Sequence, residues 1–226
     1  MIYETARLYT KNLGENLVVK DYSIIYENTF IMDDVTIGEH CVIGRQTTTT
    51  AAVVRAYNEK EKVFIGSNTA ICCNVTIYTG VTIGEEVLLG DNVSIMPEVK
   101  IGNKVLISRN VTINSEVEIG DSTRIMDNSH VTGRVKIGKN VFISVGVIMA
   151  NDNSFGKFGF NDDVKGPTIE DNVAIGVGAI LLPSIKIGKG SIIAAGSVVK
   201  DNIPENVIAA GNPASVVTRV PKHLRR

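Results

Sequence analysis

The sequence predicts an all-β fold, a solenoid of short strands stacked three to a coil, and three observations predict it. An aliphatic residue recurs at nearly every sixth position from Leu13 to Thr48, from Ile65 to Ile148 and from Ile169 to Pro204. The pair Ile-Gly returns every eighteen residues, at Ile65, Ile83, Ile101, Ile119 and Ile137, so three hexads make one turn. At the fourth position of the 26 hexads, 16 residues are Asn, Gly or Asp, the types that tolerate the left-handed backbone conformation of a tight corner. A helix needs apolar residues three and four apart and an isolated strand needs them two apart, so a sustained period of six fits neither. Stacked coils bury such a repeat and give it a mechanism.

The elements follow in order. Residues 13–48 hold six hexads, LGENLV through IGRQTT, and residues 65–148 hold fourteen, IGSNTA through ISVGVI. The segment 49–64 between them shifts the register and carries a charged run, Glu59 to Lys62, that water solvates; it reads as a structural or subunit-contact loop. A second break, 149–168, reads MANDNSFGKFGFNDDVKGPT and contains Phe155, Phe158 and Phe160. Exposed rings on a long excursion call for something that buries them, so this loop is expected to contact a ligand or a partner. Six more hexads, IEDNVA through VKDNIP, fill 169–204, and 205–226 is read as a short C-terminal tail. About nine coils in a single domain, 1–226, result. Solenoids grow by stacking, so this length requires no second core.

Composition bounds the function. Net charge is −1 with 23 basic and 24 acidic residues interspersed, which gives no basic surface for nucleic acid or an anionic membrane. No apolar run approaches the length of a bilayer span, and the opening MIYETARLYTKNLG has no apolar signal core, so a cytoplasmic protein is expected. Cys41 falls at an inward position, whereas the adjacent Cys72 and Cys73 flank a corner and cannot easily bridge; reduced thiols are expected. Tryptophan is absent, as suits a narrow aliphatic interior.

Histidine is scarce: His40, His130 and His223. A trimeric zinc hydratase on such a prism needs three imidazoles per metal, and His40 and His130 stand five coils apart, so no metal is expected. Steps of eighteen give Thr76, Ser94, Thr112, His130 and Ile148, an outward ladder of small hydroxyls broken by one imidazole. That placement beside the second loop makes His130 the candidate general base. Asn128 ends a second ladder, Asn74, Asn92, Asn110 and Asn128, at one corner.

The segment IMDNSHVTGRVKIGKNVFISVGVIMAN, 125–151, and the stretch from Pro167 to Ala214 carry a resemblance to the hexapeptide-repeat acyltransferases, and within them to the nucleotide-sugar 3-N-acetyltransferases. The resemblance implies a left-handed parallel β-helix, acetyl-CoA as co-substrate, a dTDP- or UDP-linked amino sugar as acceptor, and a homotrimer with sites between subunits. It places Asn128 beside the sugar amine, as a second catalytic residue with His130, and Asn151 at the start of the loop next to it. Asp152 and Phe155 follow in that loop as substrate contacts. Relatives show Asn-Asn where this chain has Asp127-Asn128, and many carry Ser where it has His130; Asp127 would orient either a cationic amine or His130. Small residues at Ala174, Gly176, Gly178, Ala194, Ala195 and Gly196 suit close approach of a pantetheine arm, and the N–H of Ala174 or Gly176 suits an oxyanion. The resemblance places Asn212 and Pro213, in GNPA, near the adenine, and Arg219 suits the nucleotide phosphates. Two other readings are open: an O-acetyltransferase, whose relatives carry a loop histidine that 149–168 lacks, and a non-catalytic β-helix scaffold.

Overall fold

The computed structural model describes residues 1–48, 50, 61–154, 157 and 164–225. They wind into a left-handed parallel β-helix of about ten coils. Among the described residues the walls of this triangular prism are three sheets of ten, nine and eleven strands. Face 1 runs from Arg7–Leu8 to Val198–Val199, face 2 from Asn12–Leu13 to Lys186–Ile187, and face 3 from Val18–Val19 to Ala214–Arg219. The chain visits them in the order 1, 2, 3, and almost every strand is two residues long, one pointing out and one in.

The inward residue is the aliphatic one of each hexad. Ile25, Ile43, Ile77, Ile95 and Ile113 are fully buried and stack in one column behind face 1. Burying a side chain of this size contributes about 1.5–3 kcal/mol, and each column repeats that contribution coil after coil. Among the smaller inward polar residues, Thr123 Oγ1 donates to the Gly138 carbonyl at 2.8 Å and Ser129 Oγ to the Ser144 carbonyl at 3.0 Å, whereas the buried Thr29 Oγ1 has no partner among the described residues. Aromatic rings are kept outside, as at Phe30, Phe64 and Phe142.

The corners explain the fourth hexad position. Every one of them except Gln46 and Asn202 has positive φ, including Lys104, Glu116 and Arg134 at +58°, +61° and +62°. The Ile-Gly pair has a different cause. A Cβ at Gly120 would stand 2.6 Å from the Gly138 carbonyl carbon, so consecutive coils approach too closely there for any side chain.

Three expectations need correction. The coils number about ten because Arg7–Leu8 and Val207–Gly211 also pair, although neither lies in a readable hexad. The first loop is shorter than 49–64, since Val63–Ile65 is already strand and pairs with Thr29–Ile31. The segment 205–226 is not a loose tail: Val207–Gly211 extends face 3, and Ala214–Arg219 folds back antiparallel upon it. Both loops leave from one edge, between a face 1 strand and the next face 2 strand. Residues 49, 51–60, 155, 156 and 158–163 lie outside the described residues, and with them Phe155, Phe158 and Phe160. Among the described residues no helix is long and apolar enough to cross a membrane.

Candidate active site

Face 1 carries the anticipated ladder. Thr76 pairs with Ser94, Ser94 with Thr112, Thr112 with His130 and His130 with Ile148. Stacking in register puts Thr112 directly under the imidazole, and Thr112 Oγ1 lies 2.7 Å from His130 Nδ1. His130 is half-buried, and that burial pushes its pKa below the usual histidine value.

Two residues earlier, Asn128 turns the edge between faces 3 and 1 with φ of +60°. Asn92 Nδ2 donates to Asn110 Oδ1 at 3.0 Å and Asn110 Nδ2 to Asn128 Oδ1 at 3.1 Å, so the asparagines form a continuous amide ladder. The ladder ends there because the next rung is Gly146, whose N–H donates to the Asp127 carbonyl. Asp127 faces downward. Its Oδ1 accepts from Ser108 Oγ at 2.8 Å and from Arg109 Nε at 2.9 Å, and the Arg109 guanidinium, with Ser108 beside it, holds the carboxyl down at about 2. His130 Nδ1 and the Thr112 hydroxyl therefore share one hydrogen bond, while Asp127 tethers Arg109.

Above Asn128 the same edge changes character. Gly146, Gly178 and Gly196 have φ of +66°, +67° and +66°, and a Cβ built on any of them meets nothing within 4 Å. Asparagine performs this turn in the coils below, so the backbone conformation alone does not demand glycine here. Gly176 differs, because its Cβ would stand 2.5 Å from the Ala195 nitrogen; coil stacking accounts for it without a ligand. The N–H groups of Ala174 and Gly176 already donate to the Ser191 and Ile193 carbonyls at 3.0 and 2.8 Å, so they are not available to an oxyanion as the sequence suggested. Ala194 N–H is likewise bound, to Ala209, and Ala195 sits exposed beside Gly196 on the open edge.

The other predicted residues lie elsewhere. Asn151 and Asp152 stand at the opposite edge of face 1, where Asn151 Nδ2 donates to the Gly133 carbonyl at 3.4 Å and Asp152 Oδ1 accepts from Ser154 N–H at 2.6 Å. Phe155 is outside the described residues. Asn212 and Pro213 form the turn of the C-terminal hairpin, joined by a cis peptide bond, and Arg219 ends its last strand, exposed. Ala174 faces outward on face 3 in a groove of about 580 Å³ that also contains Phe142, Ile192 and Leu224. The structure thus gathers Asp127, Asn128, His130, Gly178, Ala195 and Gly196 at one edge, and leaves Asn151 and Asp152 across the face. Arg109, Thr112 and Gly146 were not anticipated as members, although each stands eighteen residues from one that was: Asp127, His130 and Asn128.

The chain is similar to known proteins built from the same repeat. The bacterial transferase hexapeptide family matches residues 80–115, 116–151 and 166–201, and the hexapeptide repeat of succinyl-transferase matches 61–97. The 2,3,4,5-tetrahydropyridine-2,6-dicarboxylate N-acetyltransferase of Clostridium perfringens is 52% identical over 52 residues, 23% of this chain and 22% of that protein. The galactoside O-acetyltransferase of Lactococcus lactis is 50% identical over 52 residues, 23% of this chain and 25% of that one. A Saccharomyces cerevisiae protein named provisionally as an acetyltransferase is 58% identical over 53 residues, 24% of this chain and 27% of its own. The chain spans about a quarter of the length of the curated relatives it matches.

Proposed function

The chain belongs to the hexapeptide-repeat transferases, and from that premise we propose that it transfers an acetyl group from acetyl-CoA to the amine of a nucleotide-linked deoxyamino sugar. The observation that carries the reading is the change from asparagine to glycine at the edge between faces 3 and 1, immediately above Asn128 and His130. Three stacked positions with empty space around an absent Cβ form a smooth track along which an extended pantetheine arm can lie against the backbone. The named activities of the two bacterial relatives, both acetyl transfers, support the donor.

In the reaction the acceptor amine attacks the thioester carbonyl directly. A C–N bond forms, the C–S bond breaks, and the proton lost by the amine passes through His130 to the departing thiolate, leaving free coenzyme A. Burial keeps the His130 imidazole neutral and able to accept at neutral pH. The role requires the tautomer in which Nδ1–H donates to Thr112 Oγ1, which leaves Nε2 as the accepting atom. The Asn128 amide and the Asp127–Arg109 pair flank the acceptor. Asn151 and Asp152, at the far edge of the same face, suit the sugar supplied from an adjoining subunit.

We propose a homotrimer, which the outward residues support. Face 1 presents Ile148, Ile180 and Val198, face 3 presents Leu88, Phe142 and Ile192, and face 2 presents Lys100, Glu118, Lys136 and Lys186. Two faces thus suit neighbours and the third suits water. An O-acetyl acceptor is the second reading, favoured by the Lactococcus lactis relative. Release of free thiol from acetyl-CoA across dTDP- and UDP-linked 3-amino and 4-amino sugars tests both. Amine-dependent release is expected; release with hydroxyl acceptors alone would establish the second reading, and no release with either would remove acetyl transfer.

A further inference from the structure

The N-terminal coils hold a cavity that acetyl transfer does not use. It occupies about 510 Å³ at the edge between faces 1 and 2, within the range of small-molecule sites. Its floor is aromatic. Tyr9 and Tyr26 follow consecutive face 1 strands and stack with ring centroids 6.1 Å apart at 24°, and both rings are substantially exposed, at 53% and 40%. In the next coil the equivalent position is Gly44, where a bulge sets φ at +79° and a Cβ would come 3.2 Å from Tyr26 Cβ and 2.7 Å from Thr29 Oγ1. The tyrosine column therefore stops one coil short, since Gly44 has no side chain to stack on Tyr26.

Around this platform stand Glu27, Asn28, Gln46 and Thr79, with Glu61 completing the wall. Planar carboxylate and amide groups beside an aromatic face present two kinds of contact at once: hydrogen bonds to vicinal hydroxyls, and an apolar surface for the C–H face of a pyranose ring. Among the described lining residues the polar groups are amides, a hydroxyl and carboxylates, which suit the hydroxyls of a neutral ligand. We propose that this cavity is a binding site for a neutral saccharide. His130 lies five face 1 strands higher, about 24 Å at the usual strand spacing, so a sugar bound here is not the one being acetylated. The site serves to hold a carbohydrate by a region remote from the reaction, and it stands whether or not the acceptor assignment does.

Saturation-transfer difference NMR and titration calorimetry on the full chain with cellotriose, maltotriose and N,N′,N″-triacetylchitotriose test this. Saturation transfer to ring protons of at least one of the three is expected, with binding weakened about tenfold in Tyr26→Ala, the scale of one lost aromatic contact. Glu27→Gln, which keeps the shape and removes a charge, should retain binding; Gln46→Ala should weaken it. Tyr26 points outward, and an unchanged thermal melt of Tyr26→Ala separates loss of ligand from loss of fold. If that melt falls, Gln46→Ala decides alone. No transfer to any of the three sugars, binding undiminished in both Tyr26→Ala and Gln46→Ala, or binding only of cationic probes such as spermidine would overturn the proposal. Thiol release from acetyl-CoA, read in parallel, reports on acetyl transfer alone.

Discussion

A histidine that shares Nδ1 with a threonine hydroxyl can accept a proton at Nε2 in only one of its two tautomers. The 2.7 Å contact between His130 and Thr112 therefore decides whether His130 acts as base. If Nδ1–H donates to Thr112, Nε2 is the accepting atom, and with burial favouring the neutral ring kcat/KM should rise with pH and level off above an inflection lying below 6.5, the ordinary histidine value. His130→Gln should lower kcat by about 10²- to 10⁴-fold and abolish that inflection, the usual contribution of a positioned base. Thr112→Val should shift the tautomer balance and reduce kcat while leaving KM for acetyl-CoA unchanged, which steady-state kinetics resolves. The corners allow an independent test by stability. Lys104 holds φ of +58° at a cost asparagine does not incur, and its ion pair with Glu86, at 3.7 Å, is solvent-exposed. Lys104→Asn should stabilise the protein by about 1 kcal/mol, visible as a higher Tm.

At the scale of the element, the edge between faces 3 and 1 can be tested without disturbing the fold. Gly178→Asn and Gly196→Asn install the residue that already turns this edge at Asn128, into space that holds no atom within 4 Å. Each should leave the melt nearly unchanged and raise KM for acetyl-CoA about tenfold or more by filling the track. A lowered Tm with unaltered KM would mean that these glycines serve the backbone alone. The same edge shows what a sequence discloses. The hexad period reveals strands, corners and the vertical alignment of Thr112 under His130, because in a solenoid register is arithmetic. It does not reveal which atoms meet: Asp127 turns down to Arg109 and Ser108, and Gly176 is spoken for by Ala195, for reasons of side-chain direction and coil spacing that no period encodes. Strands outside the hexads, Arg7–Leu8 and Ala214–Arg219, escaped for the opposite reason, since their pairing is real but their spacing is not the repeat's.

The whole molecule adds a constraint that no single site supplies. Two faces suited to neighbours and one to water predict a closed ring of three copies, so light scattering should give a mass of about 73 kDa from a chain of 24.3 kDa. Within each copy the inward columns act as one continuous core. Ile95→Ala, at a fully buried mid-column position, should cost about 2–5 kcal/mol in a chemical melt. The eighteen-residue coil also makes this protein a screw with three stops per turn. Removing eighteen residues between the tyrosine cavity and His130 would lower the upper part by one thread and keep every face in line. Removing six would preserve the thread but turn everything above it by a third of a revolution, so that a sound prism would present its histidine to the wrong neighbour.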